Sequence, residues 1–76
     1  MDASHLVTMA NQIGQFFAAY PDRAQAVADI AAHLRKFWEP RMRRALLVHL
    51  ETTGPESGLD PLVEEAVRQL AAAPVG

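Results

Sequence analysis

The chain has 76 residues, half of them apolar, with seven Lys and Arg against nine Asp and Glu, a net charge of −2 and no cysteine. This length gives one small domain. Its thin core rarely supplies more than ~3–5 kcal/mol, which favours support from a partner subunit. The missing cysteines exclude disulfides and thiolate metal ligation, and the acidic balance argues against an obligate nucleic-acid binder.

The elements are helical throughout. Leu6, Met9, Ala10, Ile13, Phe16, Phe17 and Tyr20 recur every three or four residues, predicting a helix over 4–20 with Asp2 or Ser4 as its cap and Pro21 limiting its end. Gly14 inside it costs helix propensity, and close approach of a neighbouring helix is the preferred explanation. Asp22 with Gln25 three residues on resembles a capping box and opens a second helix over 23–38. Alanine is frequent there, and Arg35 and Lys36 suit the negative end of its dipole. A third helix is predicted over 40–53, stopped by Gly54 and Pro55, and a fourth over 61–72, opened by Asp60-Pro61. Residues 73–76 read as a frayed tail. The expected fold is all-α, a single domain over 1–76 of about four helices with a tight helix–Pro–helix corner.

That corner concentrates charge and aromatic surface. His33 to Arg44 holds the lone Trp and five of the seven basic residues, with Glu39 as its single acid. Pro40 ends one helix and suits the first position of the next, placing Trp38 at the apex. Arg41, Arg43 and Arg44 then lie at a helix N-terminus, where cations are disfavoured by up to ~1 kcal/mol each. Such a placement points to an anionic partner, and the competing reading is that the long side chains bend into water. Phe16, Phe17, Tyr20 and Phe37 are expected in the core. Trp38 has two open readings, core residue or interface anchor, since Trp and Arg are enriched where binding energy concentrates.

No catalytic constellation emerges. His5, His33 and His49 share no ligand spacing, no Glu-x-x-His or Gly-rich phosphate loop occurs, and His33 is expected to hydrogen-bond locally beside the corner. His49 reads as part of a polar face, and Ser4 and Ser57 as capping or loop residues. A helix-turn-helix with the arginines on its recognition helix is weighed and disfavoured, because the Asn, Gln and Ser that read base edges are missing beside them. No run reaches the ~18 apolar residues of a membrane span, and the start lacks a signal peptide's cationic and apolar regions, so a cytoplasmic location is expected.

Met9-Ala10-Asn11-Gln12-Ile13 with Phe16-Phe17, then Ile30, His33-Leu34, Phe37-Trp38, Pro40-Arg41-Met42-Arg43, Gly58-Leu59, Val63, Ala66-Val67 and Leu70 form a pattern over most of the chain. It resembles the delta subunit of molybdenum-containing, NAD-dependent formate dehydrogenases. That family often has Asp at the position of Glu39 and Ala at that of Gly14. The resemblance implies a small non-catalytic subunit beside a large molybdenum-bearing catalytic subunit and its iron–sulfur and flavin subunits, with no cofactor ligand assigned to this chain. The expected role is an accessory subunit binding the catalytic subunit through Phe37, Trp38, Arg41, Met42 and Arg43, with no catalytic, cofactor or metal residue. A transient cofactor-insertion chaperone is the alternative. With Trp38 as a partner anchor, Trp38→Ala should release the chain from its complex and leave its helicity largely intact, whereas a melted helical signal would assign Trp38 to the core.

Overall fold

A computed structural model describes residues 2–72, which form four α-helices and one 3-10 turn: α1 (Ala3–Phe17), α2 (Arg23–Phe37), α3 (Pro40–Thr53), the turn Gly54–Glu56, and α4 (Pro61–Ala72). The all-α class is as the apolar spacing predicts, and no described residue lies in a strand. The tail at 73–76 lies outside the described residues.

Each helix starts and stops for a local reason. Asp2 caps α1 by accepting hydrogen bonds from the Ser4 hydroxyl and backbone N–H at 2.9 and 3.0 Å, and these hold its carboxyl below the ordinary value. A lowered carboxyl contributes stability above its unfolded value and loses it as acid protonates the group. α1 ends at Phe17 rather than Tyr20. The next N–H groups bond three residues back, Ala18 to Gln15 and Tyr20 to Phe17, because Pro21 bars Tyr20 from continuing the helix. Asp22 caps α2 by accepting from Ala24 and Gln25 N–H, but the Gln25 side chain donates to Asp29 instead of reaching back, so only half of the capping box forms. α3 stops at Gly54, whose φ of +56° suits a residue without Cβ.

The core gathers Leu6 and Ala10 from α1, Val27, Ile30, Ala31 and Leu34 from α2, Leu46 and Leu50 from α3, and Val63, Ala66 and Val67 from α4, with Trp38 and Leu59 from the connections. α2 packs most extensively on α4, and α1 lies against the other three helices. Gly14 explains how closely α1 can come. A Cβ built on it would overlap Cγ2 of Val63, itself fully buried, so close helix packing is what the glycine permits.

The loop before α4 is fastened from two sides. Asn11 donates from its amide nitrogen to the Gly58 carbonyl and accepts from the Asp60 N–H, both at 2.9 Å. His49 donates from Nε2 to the Ser57 carbonyl at 2.9 Å, so this residue is a loop fastener rather than part of a solvated face. Ser57 is buried and its hydroxyl accepts from Leu59 N–H. Gly58, at φ +85°, makes the turn that sends Leu59 into the core. No helix among the described residues is long and apolar enough to cross a membrane.

Candidate interaction surface at the α2–α3 corner

The corner spans two residues. Trp38 ends α2 in an extended conformation, donating its N–H to Leu34 O at 3.0 Å, and Glu39 precedes Pro40, which opens α3. The Glu39 carboxylate caps nothing. Its backbone carbonyl instead receives the Met42 and Arg43 N–H groups at 2.9 and 3.1 Å.

The five residues expected to bind a partner lie in different surroundings. Trp38 is 7 % exposed and belongs to the core cluster, so its indole is already covered by this chain's own helices. Truncating it therefore removes core, and the expectation that helicity survives Trp38→Ala no longer follows. Met42 is half-buried against the same cluster. Phe37, the preceding residue, points the other way and is 68 % exposed. Its ring sits 4.7 Å from the His33 ring, and the Lys36 ammonium lies 5.6 Å from its centroid on the surface. Arg41 is exposed, with Glu39 3.9 Å away.

Arg43 resolves the electrostatic puzzle of a cation at a helix start. Its guanidinium turns back across the corner and donates through Nη1 to the carbonyls of Leu34 and Arg35 at 3.3 and 3.1 Å, and to that of Trp38. These are terminal carbonyls of α2, the negative end of that helix's dipole, where a cation is favoured. Proximity of two helix ends thus reverses the sign that α3 alone would give. Replacing Arg43 by Met keeps the apolar stem and removes the donors. It should cost about 1–2 kcal/mol in a urea melt, and unchanged stability would show that water satisfies these carbonyls equally well.

Three expectations about aromatics are overturned. Phe16 is 75 % exposed and Phe37 mostly so, whereas both were expected inside. Phe16 stacks edge-on with Phe17, whose ring meets Tyr20 in the same manner, so these rings pack on one another at the surface. Phe17 also reaches the core, whereas Tyr20, likewise expected inside, lies beyond the end of α1 and is exposed. Helical spacing shows that residues share a face, and α1 carries more aromatic surface than its neighbours can cover. His33 is not held by a local hydrogen bond: its Nε2 is buried and unpartnered.

Among the described residues no group of three or more His, Asp or Glu is placed to hold a metal ion. What the corner presents is a flat apolar ring among cations. Arg41 is paired at long range with Glu39, while Arg35, Lys36 and Arg44 have no carboxylate within 4 Å among the described residues. That composition suits a protein surface carrying carboxylates around an apolar socket.

Comparison with known proteins gives one result of substance. No curated protein and no solved structure matches the chain. A family model described as NADH-dependent formate dehydrogenase delta subunit FdsD matches residues 5–67, a span that includes α2, α3 and the whole corner.

Proposed function

The chain belongs to the family of NADH-dependent formate dehydrogenase delta subunits, and on that premise we propose that it is a non-catalytic accessory subunit that binds and stabilises the large molybdenum-bearing subunit of a cytoplasmic, NAD-dependent enzyme. The contact surface is the α2–α3 corner. Phe37 and Arg41 are its contact residues, Trp38 and Met42 its buried support, and Arg43 the brace that fixes the two helices. The observation that carries this reading is Phe37, a large apolar ring left exposed on a small domain, beside Lys36, which has no carboxylate within 4 Å among the described residues.

Binding then buries the Phe37 ring and pairs Arg41 with acids of the partner. An anchor of this kind is worth about 2 kcal/mol or more, roughly thirtyfold in affinity. Exposed side chains keep the test clean, because removing them leaves the helices as they are. Tagged chain is recovered from its native cytoplasm and bound subunits are quantified by mass spectrometry, with Phe37→Ala/Arg41→Glu alongside. Near-equimolar dehydrogenase subunits, lost in the double variant while its melting curve is unchanged, are the expected result. Full recovery with the double variant would remove the corner from the interface. Substoichiometric recovery enriched in cofactor-free large subunit would mark a chaperone that leaves after cofactor insertion.

A further inference from the structure

Beside the corner, α1 and α2 enclose an open apolar groove of about 510 Å³, lined by Met9, Gln12, Ile13, Phe16, Phe17 and His33. Five of the six come from α1 at helical spacing, so one ridge of that helix forms most of the wall. The sixth, His33, carries the groove to Phe37 and onward to Lys36. Groove, exposed ring and Lys36 are one continuous surface.

We infer that this groove receives an acidic amphipathic helix from another subunit of the dehydrogenase, an inference that rests on the accessory-subunit reading above. The apolar wall selects the occupant's apolar face. A wall presented by residues one turn apart matches a helix whose own apolar residues recur at three and four, the helix-in-groove mode. Charge selects the rest. α1 contains no Lys, Arg, Asp or Glu, so the groove's charge comes from its α2 end, where Lys36, beside Phe37, has no carboxylate within 4 Å among the described residues. Asp29, one turn before His33 on α2, is engaged by the Gln25 amide at 2.8 Å. A carboxylate at the end of the occupant nearest Phe37 pairs with that cation.

A second copy of this chain is the poorer occupant. A two-fold contact sets the same patch against itself, and the groove's lining holds no carboxylate to offer the Lys36 of a second copy. A small apolar ligand fits badly too, since the groove is open along its length while ligand sites bury most of what they bind.

The test uses the co-expressed complex. Phe16→p-benzoylphenylalanine is introduced into the full chain, the purified complex is irradiated, and the cross-linked peptide is sequenced. Phe16 is so exposed that the change leaves the fold alone. The expected product joins Phe16 to one peptide of another dehydrogenase subunit, with apolar residues every three or four positions and a net negative charge. Phe16→Ala should weaken retention roughly thirtyfold with unaltered melting, and Lys36→Glu about tenfold, beside the small loss of stability that an anion brings at the end of α2. Cross-linking to a second copy of the chain, to a peptide without acids, or to nothing in an intact complex overturns the groove proposal. In that last case the complex has formed, so the accessory-subunit reading survives. A chain that fails to recover any dehydrogenase, with or without substitutions, sinks that reading first and the groove with it.

Discussion

Trp38→Ala is expected to unfold most of the isolated chain. The indole is buried against the core formed by all four helices, and replacing a buried Trp by Ala costs about 3–5 kcal/mol. A core in a domain of this size rarely supplies more than that in total. The variant should therefore show weak helical ellipticity and no cooperative urea transition, while Trp38→Phe keeps both at reduced stability. A full cooperative melt from Trp38→Ala would place the indole outside the core. The consequence for interface mapping is direct: loss of partner binding by Trp38→Ala reports loss of fold, and Phe37 and Arg41 are the positions that report contact.

Gly14→Ala should destabilise the chain, against the usual rule for helices. Alanine gains up to ~1 kcal/mol over glycine in a helix interior, but here its Cβ enters the volume of Val63 Cγ2. Overpacking of a core costs about 1–3 kcal/mol, and Val63 is short, branched and fully buried, so it has little room to yield. A net loss near 1–2 kcal/mol follows. Val63→Ala opens the space that the new methyl needs, and the double variant should recover at least ~1 kcal/mol relative to the sum of the single changes. Costs that simply add would mean that α1 and α4 move apart instead.

The helices were legible because each rests on local signals: apolar spacing, Asp2 and Asp22 as caps, Pro40 and Pro61 at first positions, Gly54 at an end. The lateral placement of aromatic residues was not. Phe37 and Trp38 are neighbours in sequence, and extended backbone at Trp38 sends one inward and leaves the other out. Which of them faces the core depends on where α4 lies, and spacing along α2 holds no information about α4. Arg43 was misjudged for a related reason. Its cost at the start of α3 was reckoned for an isolated helix, whereas the end of α2 stands within reach of the same guanidinium. Asn11 and His49 escaped notice as fasteners because their partners lie in a loop, 47 residues away in the case of Asn11 and Gly58.

Asn11 has a bearing on how the protein ages. Its side-chain amide is used once as donor and once as acceptor, and the two partners fix which end is nitrogen. Aspartate has nearly the same shape but offers only acceptors when ionised. Hydrolysis of this one amide would change little in volume, yet it would set a carboxylate oxygen against the Gly58 carbonyl. The clasp between the first helix and the approach to the last would keep its bond from the Asp60 N–H and turn the other into a repulsion, in a chain whose length was otherwise intact.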